Sequence, residues 1–392
     1  VHSTEISATV AKVASRGLVP PFHVMHVIDA VGARRRAGLP VVDLSAGQPS
    51  TPAPAPVRAA AHTALDADLI GYTNALGLPG LRAAIATHYA DTHAIDVDPA
   101  SVAVTTGSSG AFLLAFLSAF ESGDTVVVAR PGYPAYRNML VALGCDVVEL
   151  PCGPQTRFQP TVEQLDALPS PPSGLVVASP ANPTGTMLRP AELEALARWC
   201  DAHGTRLVSD EIYHGITFGG SAASAWQFSR APVVVNSFSK YFSMTGWRIG
   251  WTLVPDELRD SVDRLAGNFT ICPPALSQFA AIAAFTAHDE LRANVARYRA
   301  NRDLLLRRLP EIGLDRLAPA DGAFYVYADV SRWTDDSLAW SARMLAEAGV
   351  AVAPGVDFDP VDGGKFIRMC FAGDGGQIEQ GVQLMGEWLA RQ

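Results

Sequence analysis

"NSFSKYFSMTGWRIGW", residues 236–251, sets Lys240 among apolar and small residues and follows it, eight positions on, with Arg248. The chain holds three lysines, Lys12, Lys240 and Lys365, against 27 arginines. That scarcity has a dull source in base composition and argues nothing; the position of Lys240 does. It closes "PVVVNSFSK" (232–240), one of seven β-branched runs between residues 100 and 254. The others are "SVAVTTG", "DTVVVARP", "CDVVEL", "GLVVASP", "TRLVSDEIY" and "RIGWTLV". Most are continuously apolar rather than alternating, as expected of strands buried on both faces. Helix-like segments lie between several of them, such as "RPAELEALARWCDAHG", with Pro190 near its start and Gly204 just past its end. Strands alternating with helices predict an α/β domain with a parallel sheet covered on both sides. Downstream, "DELRANVARYRANRDLLLRRL" (289–309) reads as one long amphipathic helix, followed by strand-like "GAFYVYADV" and "KFIRMCFA" around a helix-like segment. This predicts a second, smaller α+β lobe. Residues 1–30, with Pro20-Pro21 and no firm period, read as an arm over the surface.

At 392 residues and 48% hydrophobic, the chain suffices for two domains. A net charge of −9 offers no basic stripe for nucleic acid. Five scattered cysteines without a CxxC pair fit reduced thiols in a cytoplasmic protein. The longest apolar run, "AFLLAFLSAF" (111–120), is far short of a membrane span, so no membrane partner is expected. His23 and His26 are spaced i, i+3 with no third ligand nearby in sequence, which predicts no metal site.

In open α/β sheets ligands bind beyond the carboxyl ends of the strands, and the chain's unusual polar residues fall there. "TTGSSGAF" sets Gly107, Ser108 and Ser109 between a strand and a helix, where free N–H groups attract an anion, although geometry alone also produces such turns. "SPANPTG" ends another run with Asn182. "SDEIY" ends a third with Asp210 and Tyr213; an acid there needs a cation or donors, or serves as a helix cap. Lys240, held against apolar neighbours, loses preference for its charged form, and Arg248 suits phosphate. One cofactor uses all of these groups. Pyridoxal 5′-phosphate needs a lysine for its Schiff base, a carboxylate at its pyridinium nitrogen, donors to its phenolate oxygen and a phosphate clamp.

From about residue 40 to 372 the chain resembles the class I/II aminotransferases, which have the pyridoxal-phosphate transferase fold of type I. "SFSKYFSMTGWRIG", "SPANPTG", "SDEIY", "GYTNALGLPGLR", "PGYPAY" and "FIRMCFA" match family blocks in the expected order. The resemblance implies a seven-stranded, mostly parallel sheet in a large cofactor-binding domain (49–285), and a small α+β domain (31–48 and 286–392) behind the arm (1–30). By position, it implies that Lys240 carries the Schiff base, that Asp210 pairs with the ring nitrogen, and that Asn182 and Tyr213 bond the ring oxygen. Tyr133 would stack on the ring. Ser108, Ser109, Ser237 and Arg248 would hold the phosphate, with Tyr72 reaching in from a partner, so a homodimer is implied. Arg368 would take the substrate α-carboxylate, helped by the backbone of Gly47.

Where bacterial aspartate aminotransferases of this type often carry "GGK", with a lysine that pairs with the distal carboxylate, this chain has "GSS", ending in uncharged Ser109. A neutral pocket suits alanine or valine, with pyruvate as acceptor. Aspartate or broad specificity, with another arginine reading the distal carboxylate, is the alternative, and β-elimination a third. A regulator fused to a DNA-binding module is disfavoured, since only about 40 residues precede the matching region.

Overall fold

The computed structural model describes residues 12–67 and 70–392. A short strand, β1 (Val42–Asp43), precedes the seven apolar runs, each of which becomes a strand of one sheet. These are β2 (Val102–Thr105), β3 (Thr125–Arg130), β4 (Asp146–Pro151), β5 (Gly174–Ala178), β6 (Arg206–Asp210), β7 (Val233–Ser237) and β8 (Gly250–Leu253). Their order is β2-β8-β7-β6-β5-β3-β4, and β8 alone runs antiparallel to its neighbours. The exception follows from its connection: β7 and β8 are joined directly by the loop that carries Lys240 and Arg248, with no crossover helix to return the chain to the starting end. Both faces are covered. Along β6, Leu207 packs into one apolar cluster with Leu193, Ala197 and Trp251, and Val208 into another with Phe112, Phe116 and Leu140. That alternation explains why the strands read as continuous apolar runs.

The small lobe is built on β9 (Tyr325–Asp329), β10 (Val350–Ala351), β11 (Ala353–Pro354) and β12 (Phe366–Cys370). Strands β11, β12 and β9 form an antiparallel sheet, while β1 pairs with β10. Residues 42–43 are thereby brought to the C-terminal half of the chain. The helices His288–Glu311 and Gly375–Leu389 close this lobe through Tyr298, Leu305, Met385 and Trp388.

The arm, read from the sequence as having no firm period, includes regular structure. A helix, His23–Arg36, begins inside it and crosses residue 30, with three arginines in its last turn set against the carbonyl end. Its amino end has no local side-chain cap; the cap comes from Asp357. Residues 1–11 of the expected arm lie outside the described residues. Among the described residues no helix is long and apolar enough to cross a membrane, and no group of His, Cys, Asp and Glu could hold a metal ion.

One close approach positions the carboxyl edge of the sheet. A Cβ on Gly250 would lie 2.9 Å from the Asn236 carbonyl oxygen and 3.0 Å from the Ser108 nitrogen. Only a bare α-carbon in β8 lets the helix Gly107–Ala119 seat its first turn there. Gly250→Ala is expected to lower stability by about 1–3 kcal/mol through overpacking of backbone against backbone, read as a lower urea midpoint with an unchanged m-value.

Candidate active site

Beyond the carboxyl ends of β5, β6 and β7, against the small lobe, lies a cavity of about 410 Å³. Its lining includes Gly47, Ser108, Ser109, Tyr133, Asn182, Asp210, Tyr213, Lys240, Arg248 and Arg368. Two expected residues lie elsewhere. Ser237 is buried beneath the lysine loop, its Oγ 2.8 Å from Ser239 Oγ, and it is Ser239 that lines the cavity. Tyr72 is 83% exposed and is absent from the lining of its own chain's cavity.

Asp210 ends β6 at 4% exposure. Burial pushes its carboxyl up to about 6, while Tyr136, the Ile212 N–H and Lys240 pull it down. The Tyr136 hydroxyl donates to Oδ2, and the Ile212 N–H donates to Oδ1 at 3.0 Å. Lys240 Nζ donates to the Gly47 carbonyl at 2.6 Å and lies 5.8 Å from the ring centres of Tyr213 and Phe324. Burial brings its amine down to about 8, within reach of the free form near neutrality. The Tyr213 hydroxyl is 2.7 Å from that of Tyr325. Gly47 is required by the same tyrosine: a Cβ there would meet the Tyr325 hydroxyl oxygen at 2.4 Å.

The anion cradle is backbone and guanidinium. Helix Gly107–Ala119 has no side-chain cap, which leaves first-turn N–H groups free at the cavity edge. Gly107, at φ +73°, lies so close to Arg248 that a Cβ would stand 2.6 Å from its Nη2. Across the cavity, Arg368 is 2% exposed, and among the described residues no carboxylate lies within 4.0 Å of it. Its Nη1 donates to Asn182 Oδ1 at 2.8 Å and its Nη2 to the Ser45 carbonyl at 2.7 Å, while Nε has no partner. The rings of Tyr325 and Phe358 lie 4.4 and 4.7 Å from its guanidinium carbon. A buried cation without a counterion is costly, so the site is built to receive an anion there.

Tyr136 and Tyr325 are contributors that the sequence motifs did not single out. Tyr136 stands in the quoted "PGYPAY", in the first turn of the helix Pro134–Leu143 that follows Tyr133, and the two rings meet edge to face with centroids 5.4 Å apart. Tyr325 carries no comparable signal, since its strand reads as small-lobe core.

The family aminotransferase class I and II matches residues 40–384. The chain is 59% identical over 385 residues to the valine–pyruvate aminotransferase of Mycobacterium tuberculosis, covering 97% of this chain and 99% of that protein. It is 38% identical over 330 residues to the aspartate/prephenate aminotransferase of Thermus thermophilus, covering 83% and 85%. Among solved structures, an aminotransferase from Mycobacterium tuberculosis superposes with a TM-score of 0.96 at 59% identity, covering 98% of this chain and 100% of that one. The Thermus thermophilus aspartate aminotransferase with maleate gives 0.90 at 33% identity, covering 96% and 100%. The chain therefore belongs to the class I and II aminotransferases, with the α/β fold of type I, and is an enzyme of the transaminase kind.

Because its folded value is raised from 3.8 to about 6, Asp210 keeps a proton in the folded protein that the unfolded chain has lost. Its contribution to stability is therefore present below the unfolded value and falls as pH rises from about 4 to 6. Tyr136→Phe removes a donor to the carboxylate and should raise the folded value by about one further unit. The carboxyl infrared band of unliganded protein, assigned by its loss in Asp210→Asn, should titrate near pH 6 in the wild type and higher in the variant.

Proposed function

We propose that the chain is a pyridoxal 5′-phosphate-dependent aminotransferase that moves an amino group between a neutral aliphatic L-amino acid, valine or alanine, and a 2-oxo acid such as pyruvate. The observation that carries the cofactor reading is the convergence of Lys240, Asp210, the Gly107–Arg248 cradle and the unpaired Arg368 on one cavity. The donor set fits: a partly desolvated amine, a buried carboxylate and an anion cradle that side-chain atoms would fill. When bound, the cofactor supplies an aldehyde carbon and a ring that accepts the electron pair released at substrate Cα.

The chain's residues do the rest. Ser108, Ser109, Ser239 and Arg248 hold the phosphate end, with Ser237 behind them against the Ser239 hydroxyl, and Tyr72 of a second copy completes it in a homodimer. Asp210, its charge sustained by the Tyr136 hydroxyl, holds a proton on the ring nitrogen. The Asn182 amide group and the Tyr213 hydroxyl orient the ring oxygen, and Tyr133 covers the ring. Arg368 binds the substrate α-carboxylate, with its Nε as a free donor and with Gly47 backbone beside it. Lys240 Nζ takes the proton from Cα in one half-reaction and returns one in the other. The chain divides into a large domain, 49–285, and a small one, 31–48 with 286–392, behind an arm of residues 1–30; in support of the two domains, one apolar cluster lies almost wholly in the first and another draws mainly on the second, with Ile212, Tyr213, Ile216 and Phe218 joining it from the first.

The similarity to a valine–pyruvate aminotransferase and the uncharged Ser109 support the neutral donor. Arg35 favours an acidic one, since it reaches the cavity's edge at 60% exposure and its Nη2 is 3.8 Å from Asp43 Oδ2. Single turnovers of the holoenzyme with separate amino acids, followed by cofactor absorbance, decide between them. L-Valine or L-alanine should react at least about tenfold faster than L-aspartate, and the reverse order would make Arg35 the reader of a distal carboxylate. Lys240→Ala should lower turnover by about 10²-fold or more, measured as keto-acid release; an alanine variant of undiminished rate would remove Lys240 from the chemistry.

A further inference from the structure

The aliphatic side chains at the cavity come largely from one place. Val24, Met25 and Ile28 line it from the arm helix, with Phe22 just ahead of them, and Ala46 and Ile212 are the other aliphatic residues of the lining. The spacing puts Val24 and Ile28 one turn apart on the helix, with Met25 beside them. Val24 is 3% exposed and packed among Phe158, Tyr327 and Phe358, whereas Met25 and Ile28 are 52% and 37% exposed. The helix is thus anchored by Val24 near its amino end and by Val31, packed with Leu345 and Ala351, farther along, and it leaves Met25 and Ile28 beside the cavity incompletely packed.

What fixes its amino end, where Met25 and Ile28 lie, is a carboxylate more than 300 residues away. Asp357, 3% exposed, accepts the His23 N–H on Oδ1 at 2.8 Å and the Val24 N–H on Oδ2 at 2.7 Å. The next residue, Phe358, lies 4.7 Å from the Arg368 guanidinium and accepts the Gly132 N–H at its carbonyl, 2.9 Å. Asp359 follows, 3.1 Å from Arg130 at the end of β3. Three consecutive residues thus hold the arm helix, the carboxylate arginine and the cofactor domain in one register.

We propose that Asp357 is a positioning residue for substrate specificity: it holds Met25 and Ile28 as the wall that reads the substrate side chain beyond Cβ. This rests on the aminotransferase reading above, with Arg368 taking the α-carboxylate. The side chain of a substrate fixed at Arg368 meets the arm helix only when it extends past a methyl group. Alanine is therefore indifferent to the wall, and branched side chains depend on it.

The test compares wild type, Asp357→Ala, Asp357→Asn and Met25→Ala/Ile28→Ala holoenzymes with L-valine and L-alanine. In parallel, the unreactive carboxylates 3-methylbutanoate and propanoate are titrated against cofactor absorbance. Asp357→Ala and the double variant should lower kcat/KM for valine roughly tenfold, mostly through KM, with alanine changed by less than about threefold. Asp357→Asn, which keeps one accepting oxygen, should recover part of the loss. Binding of 3-methylbutanoate should weaken selectively. Equal losses for valine and alanine, or for both carboxylates, would reduce Asp357 to a structural role and overturn the proposal, as would unchanged selectivity in the double variant, whose exposed positions spare the fold. Should the wild type prefer aspartate, the neutral-donor reading fails, and the two carboxylates still decide the wall: selective weakening of the larger supports it and equal weakening overturns it.

Discussion

A carboxylate buried at the end of a strand is the constraint around which this site is arranged. Asp210 ends β6 at the sheet's carboxyl edge, where burial favours its neutral form. To act as an anion it must be held by donors that cost no reorganisation when a ligand arrives. Tyr136 and the Ile212 amide supply them from opposite directions, one from the helix after β3 and one from the turn after β6 itself. Lys240 and Asp210 then divide the work by opposite shifts. Burial raises the acid and lowers the amine, which brings both closer to neutrality than either is in water.

The second half of the site is an unfulfilled cation. Arg368 comes from the small lobe, and two acceptors fix it: the Asn182 side chain from the large sheet's edge and the Ser45 carbonyl that follows β1. Neither acceptor carries charge, so the guanidinium is oriented without being neutralised. Strand β1 is placed by its pairing with β10, which makes the extreme C-terminal lobe responsible for where residues 45–47 lie. The Lys240 contact with the Gly47 carbonyl closes the circuit between the two lobes.

The large sheet was legible because burial on both faces leaves a plain trace: seven apolar runs, several of them ending in polar residues unsuited to a core. The polar part of the cavity lining was largely legible too, through motifs at those ends and, for Gly47 and Arg368, through the family resemblance. What was hidden shares one property, dependence on distant partners. The antiparallel course of β8 is set by a missing crossover that composition cannot display. The helix His23–Arg36 has no capping residue of its own, and nothing around residue 22 announces that Asp357 provides one. Ser239 and Ser237 differ only in which way a turn points them. Tyr325 reads as core because it is core, at 1% exposure, with only its hydroxyl group turned to Tyr213.

The cap on the arm helix also orders the birth of the molecule. All seven strands of the large sheet, with Lys240 and the cradle beside it, have been synthesised before residue 357 exists. During synthesis the helix His23–Arg36 therefore waits for its hydrogen-bond acceptor until the whole large sheet has been made. The wall of the cavity that this helix provides thus joins a segment made before the sheet to one made after it.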